Sequence, residues 1–596
     1  MAEGNQVSQV APLQVAQIDP ASFTEEEVGY AYFLHHLSTV ANAVVMEGEH
    51  RGFIDLKVWR RPKDNEPYNA RILENHASLA FFYTEDRPWN VYRGDVALKA
   101  RLEAVMDFWC RIQHTDGRFS EYAPEQWSLA PTGFGIKFMG ETLRRLHTSQ
   151  INGGPTVDAD ILARAVAATQ KAISVLLTHP DLLRHATNFS NQYTGFWGGM
   201  MSFFSAYPNE AMYRSFVEMI ETFRDKLTSP VGYHYERTGC DWRYTMQTHR
   251  SNLQHVWHYV RGTELEPAIV EMERPWIDWL AQNAVLEPDG SYFTLNRAIE
   301  TRTPLEGFES WETPMAEHVP LARAFTQSLE TYRESLASKR EHLIQTWPSV
   351  EPLDMYSPHI FESGRSALHW ICEKNQRDLA RTQLPYLARN HYTHFRMDDR
   401  IAAHYMFVRR PSYYAIFNAG DVICDRQRYG LGLLWHPEMG SVLQTQSQND
   451  GPWGTVSAEG VHYEASSFQP KIEVDQEKLT PTPGQHDLPN GDIVFEYALG
   501  DVGQKTVRFD DDEIVVTVVH AGAFVEQLPV LVKAGDHLRV DGQHLYLHRS
   551  GKTMSIVFDS HVKVDAQKTE VAHGPFELNR VTAQAQDQLQ YRIFFE

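Results

Sequence analysis

Glu513-Ile514-Val515-Val516-Thr517-Val518-Val519 is strand material, because β-branched side chains suit a pleated, half-buried surface and crowd the turn of a helix. The same reading applies to Tyr413-Tyr414-Ala415-Ile416-Phe417, Ile493-Val494-Phe495-Glu496-Tyr497, His544-Leu545-Tyr546-Leu547-His548 and Thr553-Met554-Ser555-Ile556-Val557-Phe558. Short strands separated by Gly and Asp turns predict an antiparallel sandwich over residues 391–596.

Upstream of residue 390 the period is helical. Apolar residues recur every three or four positions over 25–47, 98–114, 159–177, 209–227, 244–262, 265–284 and 316–347. Breaks such as Ser229-Pro230-Val231-Gly232 and Glu287-Pro288-Asp289-Gly290 separate these runs. No fixed-period repeat stands out, which argues against a regular solenoid. Helices first and strands after predict an α+β multidomain chain: an N-terminal (α/α) toroid, meaning an incomplete barrel of helical hairpins, over 24–390, then the β-sandwich. Residues 1–23 read as a disordered lead-in.

A chain of 596 residues exceeds one hydrophobic core, so two domains are expected on size alone. The formal charge of −22 disfavours nucleic acid as a partner. A local positive field inside a cleft still permits an acidic ligand. Cys110, Cys240, Cys372 and Cys424 form no CxxC pair, so neither a zinc finger nor a redox motif is expected. No apolar run reaches the roughly 18 residues that suggest a membrane span. The first residues lack the charged-then-apolar plan of a signal peptide.

Four patches carry candidate chemistry. Thr187-Asn188-Phe189-Ser190-Asn191-Gln192-Tyr193-Thr194-Gly195-Phe196-Trp197 packs amides, aromatics and glycine into one stretch, which reads either as a helix start with glycine-assisted packing or as a sugar subsite. A loop dense in Tyr, His, Arg and acids runs from Gly232 through Glu236, Asp241 and Trp242 to Tyr244 and His249, and is poor material for a core. Arg297 and Arg302 follow the Asp289-Gly290-Ser291 turn. His404 and Tyr405 sit in an alternating apolar stretch, where a histidine is usually a hydrogen-bonded core residue.

In these patches the chain resembles the heparinase II/III-like and alginate-lyase-like polysaccharide lyases, a family with a helical toroid followed by an antiparallel β-sandwich. In that family an Asn or His on a toroid helix neutralises a uronate carboxylate, a Tyr takes and returns a proton, and a His from the sandwich completes the site. Asn191 precedes Tyr244 by 53 residues and His404 follows it by 160, which matches the family order. His249 and Arg297 resemble residues of glucuronan- and mannuronan-cleaving relatives. Those enzymes carry a tyrosine just after that arginine, whereas 298–304 holds none here.

The resemblance implies β-elimination on a uronic-acid polysaccharide such as alginate (mannuronan) or glucuronan, with Tyr244, His249, Asn191, Arg297 and His404 as catalytic candidates. Tyr244 and His249 both remain open as the base. Asn188, Gln192, Trp197, Glu236, Trp242, Arg302 and Tyr405 are the substrate-binding candidates. An acidic polysaccharide is the expected partner, with no nucleic acid, no membrane, no cofactor and no metal, since HExxH and paired-Asp motifs are absent. A secreted or periplasmic location is expected for such an enzyme. Two rivals remain: a toroid glycoside hydrolase using two of Glu236, Asp241, Asp289, Glu309 and Glu312, and a non-catalytic glycan-binding protein.

Overall fold

The computed structural model describes residues 8–56, 64–236, 239–295, 307–347, 349, 358–365, 370–421, 429–445, 452–465, 467–559 and 562–596. Helices come first and an antiparallel β region follows, as the change of period predicts. The chain divides into two compact units. One comprises Met1–Leu227, Gln247–Glu271 and Ser328–Lys374; the other comprises Thr228–Met246, Met272–Gln327 and Asn375–Glu596.

The helical unit contains α1 (Val28–Asn42), α2 (His76–Thr84), α3 (Val96–Arg111), α4 (Leu129–Thr148), α5 (Ala159–Thr178), α6 (Pro180–Ala186), α7 (Ser190–Ala206), α8 (Glu210–Leu227) and α9 (Arg250–Val260). They pack in two layers. Helices α2, α4, α7 and α9 contact one another in succession, and α3, α5 and α8 do the same outside them. The inner helix α2 is enclosed on every side, with all nine of its residues buried. The outer helices α5 and α8 bury one face only. Helix α5 is, among the described residues, the one helix long and apolar enough by composition to cross a membrane. Here it packs on α3 and α4.

Glycines set the closest approach of the inner layer. A Cβ on Gly140 of α4 would stand 1.9 Å from the carbonyl oxygen of Gly199 on α7, and one on Gly199 would stand 2.3 Å from the Ile136 oxygen. The two helices therefore touch backbone to backbone. On the next face of α7, a Cβ at Gly198 would strike the His255 ring of α9 at 2.4 Å.

Two expectations need correction. Residues 8–23 of the lead-in are held against the helical unit rather than disordered. The side chain of Asn42 donates to the Val10 carbonyl at 2.8 Å and accepts from its N–H at 2.9 Å, while Arg340 donates to the carbonyls of Ala21 and Phe23. The run 316–347 is not one helix. Two 3-10 turns, Pro314–Glu317 and Pro320–Phe325, precede a helix at Leu329–Thr346, because proline lacks the N–H that would continue the ladder.

In the β unit two antiparallel sheets share a pair of 20-residue strands, Glu513–Val532 and Phe576–Phe595. The first halves of Glu513–Val532 and the matching end of Phe576–Phe595 pair with Gly503–Phe509 and Lys552–Phe558 in one sheet. Their other halves pair with Gly454–Ser457 and Lys563–His573 in the second. The ladder between them shifts register between Val519 and Ala523, next to Gly522 at φ 93°, and there both strands turn the corner between sheets. The core between the layers is built from residues such as Phe417, Leu443, Phe495, Val516, Leu547 and Tyr591.

Candidate active site

In the helical unit a buried polar cluster joins α4, α7 and α9. Asn191 lies in the first turn of α7 and is 2% exposed. The amide nitrogen of Asn252, on α9, donates to the Asn191 carbonyl at 2.7 Å and to Thr194 Oγ1 at 3.2 Å. The same Thr194 hydroxyl lies 3.3 Å from His249 Nδ1. Two of the expected catalytic residues, Asn191 and His249, are thus tied to one threonine and one asparagine.

Behind them stands Lys137, on α4 and fully buried. Its ammonium donates to Asn252 Oδ1 at 2.7 Å and to Ser251 Oγ at 3.4 Å, and pairs with Glu362 at 3.1 Å. Burial lowers its pKa to about 8, against the opposing pull of Glu362. Burial alone would raise the Glu362 carboxyl, yet the charge of Lys137 and the contact with His359 at 2.8 Å hold it well below the usual carboxylate range. Burial, reinforced by Lys137, lowers His359 to about 4. Glu74 is also buried. It is pushed up to about 7 by burial, against the opposing charge of its partner Arg71.

Tyr244 begins a π-helical turn, Tyr244–His249, that runs directly into α9. Asp241 caps it: its carboxylate accepts the Tyr244 N–H at 3.0 Å, and its carbonyl accepts the Thr245 N–H at 3.1 Å. A ring closed i→i+5 adds a residue to each turn, so positions five apart stack as those four apart do in an α-helix. Tyr244 and His249 have that spacing, and a regular α-helix would have splayed them. Tyr244 is half-buried.

The loop leading to Tyr244 is anchored inside the β unit. Asp398, at the end of strand Tyr392–Asp398, accepts hydroxyl protons from Ser229 at 2.5 Å, Tyr233 at 2.8 Å and Tyr235 at 2.9 Å, and the Arg400 N–H at 3.0 Å. Arg400 also lies over the Tyr235 ring, 4.1 Å from its centroid.

The remaining candidates fall into several groups. Asn188 and Gln192 are half-buried near the start of α7, with Gln192 Oε1 3.2 Å from His185 Nε2. His404 is buried on strand Ala403–Arg409, with its pKa lowered by burial and its ring edge-on to Phe395 at 5.8 Å. Three aromatic expectations are corrected. Trp197 is buried against Tyr193 and Phe216, Trp242 against Trp276 and Phe308, and Tyr405 against Trp279 and Tyr233. All three fill cores and offer no face to a sugar. Glu236 is fully buried on the two-residue strand Tyr235–Glu236. Arg297 and Arg302 lie outside the described residues.

Sequence reasoning passed over Lys137, Thr194, Asn252 and Asp398. Lys137 had a readable signal, since Gly135-Ile136-Lys137-Phe138-Met139 sets a charge inside an apolar helical run. The others look ordinary until the fold brings them together.

No family model matches the chain, and no curated protein matches it. Among solved structures it is similar to the heparan sulfate lyase HepC from Pedobacter heparinus, with TM-score 0.47 and 8% identity over 92% of this chain and 79% of that one. It is similar to a heparinase III with TM-score 0.47 and 11% identity, covering 98% and 86% of the two chains. A chondroitin AC lyase from Streptomyces coelicolor A3 aligns with TM-score 0.48 and 11% identity, covering 99% and 80%.

Proposed function

We propose that the protein is a polysaccharide lyase that cleaves a uronic-acid polymer, of the mannuronan or glucuronan class, by β-elimination outside the cytoplasm. The observation that carries this reading is the hydrogen-bonded cluster that ties Asn191 to His249 through Thr194 and Asn252.

The C5 proton of a uronate is weakly acidic while the adjacent carboxylate is charged. Donors held in place before the reaction, and aimed at that carboxylate, stabilise the enolate-like charge that develops. Asn191 takes that role. Its place in the first turn of α7 adds the positive end of the helix dipole. Tyr244 or His249 takes the proton, and the same group returns one to the departing O4 oxygen. His404 is a further candidate for holding substrate.

Two of the acids that the hydrolase reading offers are engaged in local structure. Asp241 is occupied as a helix cap, and Asp289 accepts the N–H and hydroxyl of Ser291 in a turn. The deciding experiment follows ultraviolet absorbance during incubation with mannuronan, glucuronan, ulvan and glycosaminoglycans. Elimination leaves a conjugated double bond, so absorbance rises with one of them. New reducing ends without absorbance would establish hydrolysis instead.

A further inference from the structure

We infer that Asn252 is a positioning residue of this site: its side-chain amide pins the first turn of α7, and Asn191 with it, to α4 and α9. That Asn191 is the carboxylate-neutralising group rests on the lyase reading; the pinning does not.

Asn252 lies fully buried on α9, and its amide is bonded to two other helices. Toward α4, its Oδ1 stands 2.7 Å from the ammonium of Lys137. Toward α7, its NH2 donates to the Asn191 carbonyl at 2.7 Å and to Thr194 Oγ1 at 3.2 Å. The two ends of the amide are told apart by chemistry. An ammonium only donates, so it takes the oxygen; a backbone carbonyl only accepts, so it takes the nitrogen. Each neighbour fixes the same orientation by itself. The turned-over amide would set donor against donor on one side and acceptor against acceptor on the other. Glu362 at 3.1 Å and Ser251 Oγ at 3.4 Å hold the ammonium in its place.

The grip falls where α7 most needs it. Helix ends fray, because the first N–H groups have no partner within the helix. The residue ahead of α7 is Phe189, whose side chain makes no capping bond. A carbonyl has two lone pairs, so the Asn191 oxygen takes the Asn252 N–H beside the helix's own bond. The same turn lies against α4 at close range: a Cβ on Gly133 would stand 2.9 Å from the Gln192 carbonyl oxygen. Gly133 and Asn252 thus hold the turn from two helices, one by contact and the other by hydrogen bonds. Asn252 acts on the reaction through Asn191.

Two variants test the pinning. Asn252→Ala removes the amide. Asn252→Asp keeps its size and its bond to Lys137 but sets a carboxylate oxygen against the Asn191 carbonyl. Amide hydrogen exchange of the full chain, read by mass spectrometry well below the unfolding temperature, should quicken at least about fivefold in peptides from the start of α7. The second half of α7, α5 and α8 should keep their protection. Wild-type protection at the start of α7 overturns the inference. A loss spread evenly over the helical unit overturns it too, since that marks Asn252 as ordinary packing. Should Asn252→Ala fail to fold, the isosteric Asn252→Asp decides.

On a polymer that the wild type cleaves, both variants should lose about 100-fold in kcat at nearly constant KM, the scale of loss when a reacting group is misplaced by a small distance. A loss confined to KM, or no loss, overturns the positioning role. If no uronate polymer is cleaved while the start of α7 loosens as expected, the pinning stands and the lyase reading fails. If a polymer is cleaved and the start of α7 keeps its protection in the variants, the pinning fails and the lyase reading stands.

Discussion

The carboxylate of Asp398 accepts the hydroxyl proton of Tyr233 at 2.8 Å, across 165 positions of sequence, and this bond fixes where the loop toward Tyr244 begins. Two further hydroxyls and one backbone N–H converge on the same carboxylate. Asp398→Ala strands several buried donors at about 1–3 kcal/mol each where water cannot reach them. A loss of at least about 3 kcal/mol in urea unfolding is expected, with Asp398→Asn intermediate. A midpoint unchanged in Asp398→Ala would show that the loop is held elsewhere.

Gly199→Ala sets two effects against each other. Alanine favours a helix interior by about 1 kcal/mol. The added Cβ meets the backbone of α4 at 2.3 Å, and backbone cannot swing aside as a side chain can. Overpacking of this kind costs about 1–3 kcal/mol or more. Net destabilisation is expected, and a thermal midpoint raised by the substitution would contradict the backbone contact.

Tyr244→Phe removes one oxygen from a half-buried ring and should leave the unfolding curve within about 0.5 kcal/mol of wild type. Turnover of the active polymer should fall at least about 1000-fold, in keeping with the loss of a general base. Substantial turnover retained by this variant would remove Tyr244 from the mechanism.

Glu74 gives a pH signature. Its folded pKa is raised by burial from 4.5 to about 7. A carboxyl raised in the folded state contributes stability that is complete below about 4.5 and is lost as pH rises through about 7. Between those limits the wild type should lose up to about 3 kcal/mol relative to Glu74→Gln, which has no such titration. Urea midpoints for both proteins at pH 4.5 and 8 measure the difference. Parallel pH profiles would show that Glu74 titrates normally.

Much of the fold is readable from periodicity, and its failures have physical causes. The outer helix α5 shows a clean amphipathic period because one of its faces meets water. The inner helices α2 and α7 are buried on nearly every side, so no exposed polar face marks their turns. In the patch around Asn191 the glycines pack helices, as the first of its two readings expects, and Asn191 and Thr194 join the polar cluster. His249 was visible as a candidate by residue type. Its partner Thr194 lies 55 positions away, and Lys137 lies 115 positions from Asn252. Such meetings depend on the close crossing of α4 and α7, which no local pattern encodes. The aromatic candidates failed for a related reason, since Trp197 and Trp242 have the composition of a sugar platform and the burial of a core.

The two bent strands of the β unit bear on how the chain is made. Phe576–Phe595 follows every other strand in the sequence, yet it runs through both sheets and pairs with Glu513–Val532 along nearly its whole length. During synthesis neither layer can close until it emerges from the ribosome, and until then Glu513–Val532 waits with an open edge on each side of its corner. The vulnerable moment of this β unit thus comes just before its last strand emerges, when a nearly complete double layer still offers unpaired backbone to its neighbours.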